Sequence, residues 1–150
     1  MAAIKQHKRI LTILYVLYLC LLFYFLFFSE GFGRAGVSAE YHYNLQLFRE
    51  IMRFYRYRYI LGNKTFFLNV FGNVIAFMPM GFFQPLLCDK KLRGGLVVLN
   101  CFVVSLVVET IQLIFKIGCF DVDDLFLNTL GGLFGVLLYF VFQKCMKREG

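Results

Sequence analysis

Polar side chains are few in the apolar parts of this chain, and they recur at spacings that could do chemistry. Glu109 and Gln112 stand at i and i+3, Asn69 and Asn73 at i and i+4, and Asp121, Asp123 and Asp124 run into Asn128 and a long apolar stretch. On one helix, residues three or four apart share a face. A carboxylate such as Glu109 in hydrocarbon costs about 3 kcal/mol unless a partner, water or a proton meets it, so its face should point inward. Such a set suits three tasks: binding a polar ligand, general acid–base work by Glu109, and holding a divalent cation between the aspartates. Structural duties compete with all three. Asp121 or Asp123 could cap a helix, and the asparagines could bond across helices. One cap does not account for three acids.

The elements that position these residues follow from composition. Hydrophobic residues make up 60% of the chain and aromatics 19%, more than one soluble core can hide. Four stretches are long enough to cross a bilayer: 10–28, 65–87, 96–115 and 125–142. The first follows Lys5, Lys8 and Arg9 as a cleaved signal would, but it exceeds the usual signal core and lacks a good small-residue cleavage site. A retained anchor is expected. Gly131, Gly132 and Gly135 suggest close helix packing, and Pro79 with Gly81 a kink in the second span.

Between the first two spans, "LQLFREIMRFYRYRYI" spaces Phe48, Met52, Tyr55 and Tyr59 as one helical face, with Arg49, Arg53 and Arg56 beside it. This pattern predicts an amphipathic helix in the membrane interface. The fold class expected is therefore all-α: an integral membrane four-helix bundle, with that interfacial helix between helices 1 and 2, forming a single domain over 1–150. The net charge of +7 fits lipid contact, and no nucleic-acid-binding signature accompanies it.

Short basic flanks orient the bundle. Lys5, Lys8 and Arg9, then Lys90, Lys91 and Arg93, then Lys144, Lys147 and Arg148 would face the cytoplasm, placing both termini on the cytoplasmic side of the cell membrane. The six basic residues of the long segment 29–64 run against that count. At about 1.5 Å per residue, Asn73 then lies about 12 Å below the outer boundary, Glu109 about 9 Å, and Gln112 and Asn128 about 5 Å. The aspartates would sit at the surface as the rim of an outward polar pocket. Its ligand-binding residues would be Asn73, Glu109, Gln112, Asp121, Asp124 and Asn128. Cys119 alone of the five cysteines falls on the outer side, so no disulfide framework is expected, and no zinc ligand set or other cofactor motif is present.

The elements "YNLQLF", "NVIAFMPMG", "ETIQLIFKIG" and "DVDDLFLNTLGGLFG" together resemble the VanZ-like membrane proteins over roughly residues 41 to 140. The resemblance picks out Asn44, Leu45 and Phe48, then Asn73, Phe77, Pro79 and Gly81, then Glu109 and Gln112, then Asp121, Asp124, Asn128 and the three glycines. Leu47 stands where the family usually has proline, and Gly118 and Cys119 where many members have an arginine. Lys116 is the nearest cation to replace it. The resemblance implies a four-helix protein of the bacterial cell envelope associated with resistance to teicoplanin-like glycopeptides. Its partners would be membrane lipid and a lipid-linked cell-wall precursor or the lipoglycopeptide itself. An enzyme acting on a lipid or wall precursor, with Mg²⁺ on the aspartates, is the alternative. A transporter is disfavoured, since four helices without an inverted repeat must oligomerise to form a path.

Overall fold

The computed structural model describes residues 2–28, 40–88 and 93–146. In chain order these form α1 (Ala2–Phe28), β1 (His42–Asn44), α2 (Arg49–Arg56), α3 (Arg58–Leu61), α4 (Asn63–Leu87), α5 (Gly94–Ile114), β2 (Cys119–Asp121) and α6 (Val122–Met146). Four helices contain stretches long and apolar enough to cross a membrane: Lys8–Phe27, Phe66–Leu87, Gly94–Ile114 and Val122–Met146. The protein is an all-α, multi-pass membrane protein. Lys90, Lys91, Lys147 and Arg148, on which part of the orientation argument rests, lie outside the described residues.

The fourth span starts earlier than its hydropathy suggests. Asp123 and Asp124 belong to the first turn of α6, where acids complement the positive end of the helix dipole. Hydropathy therefore places the boundary past them, whereas backbone geometry puts them inside.

α6 is the centre of the bundle, packing chiefly on α4 and next on α5, while α1 lies along α4. The glycines explain the closeness. A Cβ on Gly131 would collide with the Val74 carbonyl, one on Gly135 with that of Met78, and one on Gly81 with that of Gly132. At Gly132 it would come within 2.6 Å of Cys101 Sγ. Without a hydrophobic force between helices in lipid, such backbone contact supplies the packing energy. α4 continues through Pro79 and Pro85. Beside it, Phe77, Met80, Cys101 and Leu22 form the apolar core, and the Tyr18 hydroxyl donates to the Ala76 carbonyl at 2.5 Å. Ile13, Leu17, Leu99 and Val141 face outward and stay exposed, as side chains meant for lipid do.

Two features differ from the sequence expectation. The stretch read as one interfacial helix is two, α2 and α3, parted at Tyr57. Arg58 Nη1 donates to the Tyr55 carbonyl at 3.0 Å, satisfying a backbone acceptor that the end of α2 leaves open. The second is a small parallel pair, His42 to Asn44 beside Cys119 to Asp121. Three residues show no alternation, so neither strand was expected.

Candidate functional site

The polar residues gather where α1 and α5 end and α4 and α6 begin. α5 stops in a Schellman turn: Ile117 N–H donates to the Gln112 carbonyl and Lys116 N–H to that of Leu113, each at 3.1 Å. Lys116 takes the left-handed conformation there, with φ 55°. The chain thus doubles back, and β2 passes over the last turns of α5. The backbone N–H of Asp121 then donates to Glu109 Oε2 at 3.0 Å.

From that point the bonds branch. Asp121 Oδ1 accepts from Asn44 Nδ2 at 3.0 Å and from the Asp123 N–H at 2.8 Å. Asn44 Oδ1 in turn accepts from the Gln46 N–H at 3.1 Å, a local turn bond. Asp123 accepts from the N–H groups of Phe48, Glu50 (2.8 Å) and Ile51 (3.2 Å). No side chain at the N-cap position of α2 does this work, so a carboxylate on α6 caps a helix distant in sequence. Phe48 has φ 66°, which for a bulky side chain is a strained conformation. It turns the Phe48 N–H toward Asp123 while the ring packs edge-on against Phe126, centroids 5.5 Å apart.

The remaining amides tie the helices. Asn73 Nδ2 donates to Asp124 Oδ1, joining α4 to α6. Gln112 Nε2 donates to the Leu26 carbonyl at 2.9 Å, closing the end of α1 onto α5. Asn128 Nδ2 donates to Ser105 Oγ at 2.9 Å, whereas Asn128 Oδ1 is buried and accepts no hydrogen bond among the described residues.

All six residues expected to bind a ligand lie at this end of the bundle: Asn73, Glu109, Gln112, Asp121, Asp124 and Asn128. Their pairing differs from expectation. Glu109 Oε2 is met by the backbone N–H of Asp121, a donor that side-chain spacing does not reveal. Asp121 and Asp123 are also not a solvent-facing rim: they are 8% and 1% exposed, because the segment from Asn44 to Ile51 folds over them and supplies their donors. Asp121, the strand residue just before α6, caps that helix as one reading of the sequence expected: its Oδ1 accepts the N–H of Asp123, the second residue of α6. Two participants escaped a reading based on charge. Ser105 stands four residues before Glu109, so helical spacing alone puts it on the same face. Asn44 was marked only by the resemblance, since nothing local shows that it reaches residue 121.

Burial governs the electrostatics outside the spans. It pushes the Asp121 carboxyl above the ordinary carboxylate range, against the lowering effect of the bonds from Asp123 and Asn44. Burial also raises Glu50, with Arg53 opposing. The Cys119 thiol is pushed up to about 11, by burial first and then by Asp121, Glu50, Glu109 and Asp124. Lys116 Nζ lies over the ring of Tyr41, 4.5 Å from its centre. Among the described residues, no group of three or more His, Cys, Asp or Glu side chains is arranged to hold a metal.

Residues 15–143 match the VanZ/LLP1 family model. The chain belongs to the VanZ/LLP1 family. It is 37% identical over 86 residues to Protein VanZ of Enterococcus faecium, an alignment covering 55% of this chain and 51% of that protein. The chain thus spans about half the length of the curated relative it matches. No solved structure matches it. Every site residue, from Asn44 to Asn128, falls inside the part of this VanZ/LLP1 chain that the family model covers.

Proposed function

We propose that this VanZ/LLP1 protein lowers susceptibility to teicoplanin-like glycopeptides in the bacterial cell envelope, binding its target and not transforming it. The observation that carries the binding role is Asn128 Oδ1, a buried acceptor that meets no donor among the described residues, in a layer whose other polar groups are bonded across it. A buried acceptor left unmet costs about 1–3 kcal/mol, and a ligand that donates to it recovers that energy. The target proposed is a lipid-linked cell-wall precursor or the lipoglycopeptide, either of which brings an acyl tail to the membrane. Burying such a tail contributes about 25 cal/mol per Å² of apolar area.

The polar end faces outward in this reading, with both termini cytoplasmic. Its support is the basic flanks at the opposite end, where Lys8 and Arg9 open the first span, Arg93 precedes α5 and Lys144 lies in the last turn of α6. α2 and α3 then lie in the outer interface, with Met52, Tyr55 and Tyr59 exposed for lipid. The enzymatic alternative asks Glu109 for a proton and the aspartates for a cation. Glu109 Oε2 already accepts the Asp121 N–H, and both oxygens of Asp123 accept from backbone. That pattern favours positioning over proton transfer.

The test is drug tolerance in a susceptible bacterial host expressing wild type, Glu109→Gln, Asp124→Ala or Asn128→Ala at matched membrane levels. Wild type should protect against teicoplanin and less against vancomycin, which lacks the acyl tail. Asn128→Ala should lose protection. No protection by wild type removes the resistance role, and equal protection by every variant removes the polar layer as its site.

A further inference from the structure

Five of the chain's nine tyrosines fall outside the spanning helices, at Tyr41, Tyr43, Tyr55, Tyr57 and Tyr59, and all five are exposed. Around them stand Arg49, Arg53, Arg56, Arg58 and Lys64. Glu50, the one acid within α2 and α3, is taken by Arg53 at 2.5 Å. Arg49, Arg56 and Lys64 are exposed. Arg58 is set in place differently from the rest. Its guanidinium lies over the ring of Tyr55 at 4.1 Å and of Tyr59 at 4.5 Å, while its two terminal nitrogens donate to the Tyr55 carbonyl and the Tyr59 hydroxyl. Two of the five guanidinium donors are thereby engaged, and the side chain is ordered before any ligand arrives.

Ordered arginine beside exposed arginine and lysine, framed by tyrosine rings, matches an anionic phosphodiester at headgroup depth. A water-facing surface has no use for Tyr59 and Ile60, 80% and 81% exposed, next to that charge. We infer that α2 and α3 form a headgroup-binding surface selective for anionic phospholipid, with Arg56 and Arg58 as its principal contacts. The inference rests on the interfacial placement of α2 and α3 given under the proposed function. Asp123 supports it by fixing the start of α2, so the surface is anchored to α6.

The experiment uses the full chain in nanodiscs of phosphatidylcholine with increasing phosphatidylglycerol. Lipid retained after transfer to mild detergent is counted by native mass spectrometry. Phosphatidylglycerol should be enriched over its bulk fraction. Arg56→Gln with Arg58→Gln should cut that enrichment by about fivefold per charge removed, the worth of a basic residue near an anionic surface. Arg56→Lys with Arg58→Lys should restore only part of it, since lysine returns the charge but not the stacked, forked guanidinium, and Arg93→Gln, at the opposite end, should leave it intact. Absence of enrichment in wild type, its persistence in the double glutamine variant, or equal loss in Arg93→Gln overturns the inference. Displacement of phosphatidylglycerol by millimolar inorganic phosphate overturns the lipid as the source of the phosphate. Ile60→Trp, the sole tryptophan in a chain that has none, separates the two layers of the argument. Quenching by brominated lipid without enrichment removes only the headgroup surface, whereas no quenching removes the interfacial placement as well.

Discussion

The backbone N–H of Asp121 donates to Oε2 of Glu109 at 3.0 Å, so a carboxylate inside a membrane helix is met by the chain that has just turned back over that helix. Two variants separate what this bond does from what the charge does. Glu109→Gln keeps an acceptor of nearly the same shape and should fold at close to wild-type stability. Glu109→Leu should insert readily, because it removes the carboxylate, yet it strands a buried N–H at a cost of about 1–3 kcal/mol. Unfolding of each variant by sodium dodecyl sulfate in mixed micelles measures the difference. Equal stability of the two would show that the bond contributes nothing.

Asp123 presents a cleaner case, since its carboxylate gathers three N–H groups at the start of α2. Asp123→Ala should cost about 1 kcal/mol, the usual worth of a cap, and speed amide exchange at residues 48 to 51 about fivefold. Exchange in the middle of α6 should stay as it is. Unchanged protection at 48 to 51 would refute the cap.

The same residue shows where sequence reading stopped. Hydropathy placed four membrane helices, and their alternating direction with helical spacing drew Glu109, Gln112, Asn73 and Asn128 to one end, because apolar length and the cost of polarity in lipid are legible locally. A cap supplied across 72 or more residues leaves no local trace, so Asp123 read as an unexplained acid. The Asn44–Asp121 pairing was hidden for the same reason. The glycines were legible as packing residues, since small side chains at i and i+4 mean close backbones wherever the partner lies.

Those glycines make a separate prediction. Gly135→Ala places a methyl against the Met78 carbonyl and must push α4 from α6, at a cost of about 1–3 kcal/mol. Gly95→Ala meets nothing within 4 Å and sits in the first turn of α5, where alanine should be neutral or stabilising by about 0.4–1 kcal/mol. Thermal unfolding in one detergent compares them. A harmless Gly135→Ala would mean the two helices are not in backbone contact.

Burial raises the Asp121 carboxyl above the ordinary value of 3.8, so the folded protein holds this proton more tightly than the unfolded chain. The sign follows: the stability contributed is full below the unfolded value and is lost as pH rises through the folded one. Asp121→Asn keeps an acceptor for Asn44 and the Asp123 N–H but cannot titrate. Stability from pH 4 to 7 should therefore fall with rising pH more steeply in wild type than in the variant. Parallel profiles would show that Asp121 does not contribute to the slope.

Sidedness can be read from two cysteines at opposite ends of α6. Cys119 is exposed in β2 just before the helix, and Cys145 lies in its last turn. At 1.5 Å per residue, the 25 residues of α6 separate these sites by about 37 Å, enough to cross the hydrocarbon. With the other four cysteines replaced each time, Cys119 should react with an impermeant maleimide in intact cells, and Cys145 only after lysis. Exposure does not make Cys119 fast. Its thiol is pushed up to about 11, and only the thiolate reacts, so its labelling rate should rise about tenfold per pH unit between pH 7 and 10. This slope guards against a false negative, because a slow but accessible thiol gains rate with pH while an inaccessible one does not. Labelling of Cys145 in intact cells, with Cys119 silent until lysis at every pH, would turn the bundle over and put the Glu109 and Asp121 layer on the cytoplasmic side.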